Sequence, residues 1–152
     1  MEQFTLNTPP KPVPDTLIAD ADGRPAKLSD FRGRLTLVNF WATWCAPCVR
    51  ELPSLDRLQA AFDEKEFRVV AINEDRGGAA VAKPFLAKLG LTRLALYIDT
   101  RLALAQALGL RGMPTSYLID RSGRMVGALT GPAEWDAPEA KALIGYYLKR
   151  KQ

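Results

Sequence analysis

Two cysteines, Cys45 and Cys48, are the residues whose type and spacing most directly indicate chemistry, and the chain has no others. An apolar run precedes them and an amphipathic pattern follows them. Both sulfurs are therefore predicted in the first turn of a helix, with Cys45 at or near its N-cap. Free backbone N–H groups and the helix dipole favour a thiolate there. Pro47, between the cysteines, suits a first helical turn. The pair is predicted to be a redox-active dithiol.

A zinc half-site and a purely structural disulfide are the alternative interpretations of Cys-x-x-Cys. A zinc site needs four ligands, usually nitrogen or sulfur, and the sequence has no histidine and no third cysteine. Carboxylates or a second chain would have to complete it. A structural disulfide that closes so short a loop removes little entropy from the unfolded chain. We therefore favour the redox interpretation, and we predict neither a metal nor a cofactor.

Composition indicates one globular unit of 152 residues, with 47% hydrophobic residues, 25% charged residues and a net charge of +4. The basic residues form no stripe interleaved with aromatic residues, so nucleic acid is not an expected partner. Residues 1–14 contain four prolines and are predicted to be a tether that precedes a domain over 15–152. A tether of this kind, together with the lack of any thiol outside the pair, suits an exported protein.

The elements that must position the dithiol follow from periodicity and turn residues. The central strand is predicted over 35–41, with further strands over 67–72 and 94–98, and helices after Cys45, over 80–89 and over 101–108. Thr100 is the candidate cap of the third helix. Hairpins are predicted over 17–28 and 115–129, and a last helix follows Asp136. This order predicts an α/β fold, a mixed sheet flanked by helices.

The predicted topology brings separate segments to one rim of the sheet. Parallel strands end at the same rim, so the dithiol and the loop 73–78 are expected to lie together. If the last hairpin pairs antiparallel to the central strand, Thr115 begins at that rim and the turn 131–135 returns to it. We therefore expect these four segments to surround the sulfurs.

Several motifs resemble the TlpA-like branch of the thioredoxin superfamily, which also includes ResA and CcmG. The core of the resemblance is Asn39–Cys48 (NFWATWCAPC), then Glu51-Leu52-Pro53, and Gly112-Met113-Pro114-Thr115. The stretches 71–78 and 131–135 look most like TlpA itself. The resemblance spans about 15–148, and it implies a thioredoxin-like fold with an added N-terminal β-hairpin. It also implies an exported, often membrane-tethered thiol–disulfide oxidoreductase of the bacterial periplasm.

The resemblance assigns roles to individual residues. Cys45 becomes the attacking thiolate and Cys48 the resolving thiol. The Met113–Pro114 bond corresponds to the family's cis-proline, although the sequence alone equally allows a proline that starts a strand. Such a bond would expose the backbone of Met113 to an extended substrate. Trp44, Met113, Pro114 and Thr115 are the predicted substrate-binding residues. Trp44 and a second rim tryptophan, Trp135, are predicted either to pack or to dock partners.

Proton handling is expected to differ from that of thioredoxin. Asn39 stands where thioredoxins bury an aspartate, and Glu51 lies three residues beyond Cys48 on the same helix face. The TlpA and ResA branch carries an acid at this position, so the resemblance implies that Glu51 is the proton acceptor for Cys48. Its position in the helix alone favours a solvated surface charge. In the loop 73–78, Glu74 and Asp75 are expected either to select partners electrostatically or to form a tight polar connection.

The expected function is reduction of protein disulfides by a monomer. The resemblance implies copper-centre assembly factors or apocytochromes as partners and a membrane electron donor upstream. One alternative is a DsbA-like oxidant or isomerase, because Cys-x-x-Cys potentials span about −270 to −120 mV. Another is an assembly module that binds Cu(I) through the two thiolates. A peroxidase is disfavoured, because Ala42 stands where peroxiredoxins need a threonine or serine.

Overall fold

A computed structural model describes residues 3–150 of the chain. These residues form one 8-stranded mixed sheet in the order β1-β8-β7-β4-β5-β6-β2-β3. The strands are β1 (Thr5–Pro12), β2 (Ile18–Asp20), β3 (Pro25–Ala26), β4 (Leu35–Trp41), β5 (Phe67–Asn73), β6 (Ala95–Ile98), β7 (Thr115–Ile119) and β8 (Arg124–Thr130). The helices are α1 (Ala46–Ala60), α2 (Ala79–Lys88), α3 (Ala103–Leu108) and α4 (Pro138–Lys149), with short 3-10 turns at Leu28–Phe31 and Thr100–Leu102.

Strand β4 lies at the centre of the sheet, and all of its residues are buried. It pairs in parallel with β5 and antiparallel with β7, and β5 pairs in parallel with β6. An uninterrupted apolar run is what a strand covered on both faces requires. These pairings confirm the predicted mixed sheet, and they bring the ends of β4 and β5 and the start of β7 to one rim.

Helices cover both faces of the sheet. On one face, α1, α2 and α4 pack on alternate residues of β4 and β5, including Leu37 and Val69. On the other face, α3 and the N-terminal hairpin pack on Val38 and Val70. The predicted hairpin is present as β2 and β3, and its strand β2 pairs antiparallel with β6. Asn39 faces α1, and this orientation places it beside the helix that carries the dithiol.

The N-terminal segment differs from the predicted tether. Thr5–Pro12 forms strand β1, which pairs antiparallel with β8 and forms the other edge of the sheet. An edge strand tolerates prolines, since one side of it has no neighbour that needs its N–H groups. A methyl group at Gly127 of β8 would lie 2.5 Å from the Phe4 ring, so glycine makes room for this segment. The prediction of a tether therefore does not hold for Thr5–Pro12.

Candidate active site

The two cysteines form a disulfide at the N-terminus of α1, with Cα atoms 5.3 Å apart. Cys45 is the N-cap residue, and its sulfur accepts a hydrogen bond from the N–H of Cys48 at 3.4 Å. Cys45 retains 7% exposure, whereas Cys48 is fully buried. The predicted N-cap position is confirmed, and only the sulfur of Cys45 is placed where another molecule can reach it.

Asp75 holds the turn that presents Cys45. Its carboxylate accepts hydrogen bonds from the N–H of Thr43 at 2.9 Å and from the Thr43 hydroxyl at 2.7 Å. The side chain of Asn73 donates a third, at 2.8 Å. Hydrogen bonds to a charged group contribute about 1.5–3 kcal/mol each. The loop 73–78 is thus a polar connection that fixes the cysteine turn, and Asp75 is not a free charge for a partner.

Glu51 lies on α1, three residues beyond Cys48, and is buried, with 3% exposure. One carboxylate oxygen accepts a hydrogen bond from the Asn39 side chain at 2.9 Å. The other accepts from the N–H of Ala133 at 2.8 Å and from the Trp135 indole at 2.9 Å. Burial raises the pKa of Glu51 above the ordinary range, and these three donors partly offset that effect. The alternative of a solvated surface charge is therefore excluded.

The turn 131–135 is part of the Glu51 environment. Trp135 is fully buried, and its backbone N–H donates to the Ser54 hydroxyl at 3.1 Å. A docking role for Trp135 is therefore wrong, because its ring is covered and its indole N–H is committed to Glu51. Asn39 also donates to the Ser116 hydroxyl at 2.9 Å, so this network joins β4, β7, α1 and the turn.

The Met113–Pro114 peptide bond is cis, and it lies directly beside the dithiol. The carbonyl oxygen of Met113 is 3.8 Å from the sulfur of Cys45. The N–H of Gly131 donates to the carbonyl of Pro114 at 2.8 Å, so the turn 131–135 also supports this segment. Thr115 is buried and its hydroxyl donates to the carbonyl of Gly112 at 2.6 Å. Of the four predicted substrate-binding residues, Pro114 and Thr115 lie beneath the surface.

A groove of about 660 Å³ opens beside Cys45. Trp44 and Met113 line it, together with Leu102 and the face of α3. Trp44 is 70% exposed and Leu102 is 44% exposed, and such large apolar side chains at a surface commonly mark binding sites. We refer to this feature as the dithiol groove.

A second buried glutamate, Glu74, lies between the dithiol groove and the start of α3. It is 7% exposed, and neither carboxylate oxygen receives a hydrogen bond from an N–H or O–H donor. Burial, a hydrogen bond shared with Asp99 and the charge of Asp99 raise the pKa of Glu74 to about 10. Asp99 itself accepts hydrogen bonds from the N–H groups of Leu104 and Ala105 at 2.8 Å. Sequence reasoning missed the burial of Glu74, because nothing local distinguishes it from a loop charge.

Two broader features bear on function. Within residues 3–150, no group of three or more His, Cys, Asp or Glu side chains is arranged to hold a metal ion. None of the helices formed by these residues is both long and apolar enough to cross a membrane.

A disulfide with one reachable sulfur, set at a helix N-terminus beside a proline-led strand, defines a thiol–disulfide oxidoreductase. The chain belongs to the Redoxin family, whose model matches residues 8–144. It is 35% identical over 119 residues to the thiol-disulfide oxidoreductase ResA of Geobacillus thermodenitrificans, an alignment that spans 78% of this chain and 67% of that protein. Identity to ResA of Bacillus thuringiensis is 31% over 140 residues, spanning 92% of this chain and 76% of that one.

Solved structures agree with this placement. A Chlorobium tepidum structure described as the thiol:disulfide interchange protein DsbE superimposes with a TM-score of 0.80 at 32% identity, covering 91% of this chain and 96% of that one. A second thiol:disulfide interchange protein of the thioredoxin family from Chlorobium tepidum gives a TM-score of 0.73 at 28% identity, covering 91% and 97%. The predicted thioredoxin-like fold and the predicted oxidoreductase class are confirmed.

Proposed function

We propose that this oxidoreductase reduces disulfides of other proteins outside the cytoplasm, with Cys45 as the attacking sulfur. The observation that carries the proposal is the contrast between the two sulfurs, because Cys45 is reachable beside the dithiol groove and Cys48 is fully buried. A partner disulfide can therefore react directly with Cys45, whereas Cys48 can react only with the mixed disulfide that forms on Cys45.

The first step is attack by the Cys45 thiolate on one sulfur of the partner disulfide. A bond forms between Cys45 and that sulfur, and the other partner sulfur leaves as a thiolate. The N–H of Cys48 and the helix dipole stabilise the negative charge on Cys45 before attack. The backbone of Met113, beside Cys45, is proposed to pair with the extended partner segment, while Trp44 covers one side of it.

In the second step the Cys48 sulfur attacks Cys45 and releases the partner's second thiol. The product is the Cys45–Cys48 disulfide that the structure contains. The partner gains two electrons and two protons, and the dithiol loses both. Cys48 must lose its proton to attack, and we assign Glu51, buried on the same helix face, as the acceptor. The proton then passes to the leaving thiolate.

The likeness of the motifs to TlpA-like proteins supports a cellular location and a class of partners for this reaction. We propose that the protein acts as a monomer in the periplasm, on copper-centre assembly factors of cytochrome oxidase or on apocytochromes. A membrane electron donor would restore its dithiol after each cycle. The apolar groove beside Cys45 supports a protein partner rather than a small disulfide, since it offers contact area that a small disulfide would leave empty.

The reduction potential tests the direction of the reaction. We expect a potential nearer about −270 mV than about −120 mV in equilibrium with glutathione, because the proposed role is that of a reductant. The reduced protein should also reduce a disulfide-bonded protein substrate in stoichiometric amount. A potential at the oxidising end, with oxidation of reduced substrates, would instead support the DsbA-like alternative.

A further inference from the structure

Three exposed arginines lie along two grooves, one of which contains Cys45. Arg111 lines the dithiol groove, and Arg76 and Arg101 line a neighbouring groove of about 610 Å³. Glu74 and Leu102 line both grooves, so the two form one continuous surface. We call Arg76, Arg101 and Arg111 the arginine rim.

The arginine rim is not neutralised by its own surroundings. In the described part of the chain, residues 3–150, none of these three arginines forms an ion pair. The nearby carboxylates of Asp75 and Asp99 are hydrogen-bonded to donors of their own chain. Glu74 keeps its proton at neutral pH and adds no negative charge. The lining residues of the two grooves therefore have three positive charges against two negative ones.

Solvated arginines are common on protein surfaces, and exposure by itself would carry no conclusion. What distinguishes the rim is its position, because Arg111 borders the apolar groove that contains the reactive sulfur, and Arg76 and Arg101 border the groove continuous with it. The acids around that groove are buried, bonded or neutral. An incoming chain therefore meets unpaired cations around an apolar floor.

We propose that the arginine rim selects protein partners whose disulfide-bearing segment has acidic side chains next to the attacked cysteine. This inference rests on the proposed function, and it adds the chemical class of the substrate. Arginine is suited to the role because its planar fork can bind a carboxylate through two hydrogen bonds. The charges would act mainly on the rate of association and on the choice of partner.

The test uses the reduced protein and pairs of disulfide-bonded peptides that differ only in glutamate or glutamine beside the cysteine. At low ionic strength the glutamate peptide should be reduced about tenfold faster, as kcat/KM or a second-order rate constant, and the ratio should fall toward one in high salt. Replacing all three rim arginines with glutamine should abolish the preference. Arg124→Gln removes one positive charge, as each single rim substitution does, from an exposed residue at the opposite end of the sheet, and it should leave the preference intact.

A charge reversal protects the test against a folding artefact. Arg101→Glu with Arg111→Glu should make a lysine-bearing peptide react faster than the glutamate-bearing one. Equal rates for the glutamate and glutamine peptides would overturn the proposal, as would a preference that Arg124→Gln weakens as much as the rim variants do. If neither peptide is reduced at all, the proposed function itself fails, and the arginine rim loses its basis with it.

Discussion

Two buried glutamates, Glu51 in α1 and Glu74 in the loop after β5, differ in their surroundings. Glu51 accepts hydrogen bonds from Asn39, Ala133 and Trp135. Glu74 accepts none, and its neighbour is another acid, Asp99. Burial raises the pKa of both carboxyl groups, but only at Glu51 do donors work against it.

This difference accords with the role proposed for Glu51, that of a proton acceptor, and it assigns no such role to Glu74. Hydrogen bonds to a carboxylate favour its ionised form, so Glu51 can lose and regain a proton as the reaction proceeds. A second carboxylate close to a buried acid favours the protonated form, so Glu74 keeps its proton through the working range. Depth in the protein alone would not have distinguished the two roles.

The largest effect is expected from Glu51→Gln. The variant keeps the shape of the side chain and lacks a proton acceptor, so resolution of a Cys45 mixed disulfide should slow by about 100-fold at neutral pH. The loss should shrink as the pH rises, because Cys48 then ionises without help. The measurement is the rate of partner release from a preformed mixed disulfide across pH.

A matched control for that variant is Glu134→Gln, which removes the same charge from an exposed residue of the neighbouring turn. It should resolve the mixed disulfide at the normal rate. If Glu51→Gln and Glu134→Gln give the same pH profile as the unaltered protein, Glu51 is not the acceptor.

Glu74→Gln should have a smaller effect, on stability. The pKa of Glu74 is about 10 in the folded protein, above its value of 4.5 in the unfolded chain. Between those values the folded state holds a proton that the unfolded state has lost, so this group's contribution to stability falls as the pH rises. Glutamine stays neutral in both states and can still donate to Asp99. The variant should therefore be more stable than the parent at pH 8, by on the order of 1 kcal/mol, and less so at pH 5.

Urea unfolding at the two pH values measures this difference. The comparison with the parent isolates Glu74 from the other titrating groups, which both proteins share. An equal change in stability at both pH values would show that Glu74 is ionised in the folded state, and the contrast with Glu51 would disappear.

Beyond the mixed sheet, the features that sequence reasoning predicted correctly are mostly local ones. The buried run of β4 and the N-cap position of Cys45 follow from neighbouring residues, and the structure confirms both. The third helix shows the limit, because the predicted cap was Thr100, whereas Asp99 accepts from the N–H groups of Leu104 and Ala105. Between Asp99 and these two N–H groups, the backbone is left-handed at Arg101 and Leu102.

Three features that depend on distant parts of the chain were not predictable in this way. The pairing of β1 requires the space at Gly127, far along the sequence. The buried Trp135 contacts Glu51 and Ser54, and the buried Glu74 lies beside Asp99, which follows β6. The burial of these two side chains produces no periodic pattern in the sequence. The family resemblance located the site, but the environment of each acid came only from the folded chain.

The order of attack by the two sulfurs is the central claim, and trapping measures it most directly. A Cys48→Ser variant, reduced and mixed with a disulfide-bonded protein substrate, should accumulate a mixed disulfide on Cys45, because nothing remains to resolve it. A Cys45→Ser variant should trap little, since the remaining sulfur is buried. Equal trapping by the two variants, or trapping by Cys45→Ser alone, would contradict the assignment.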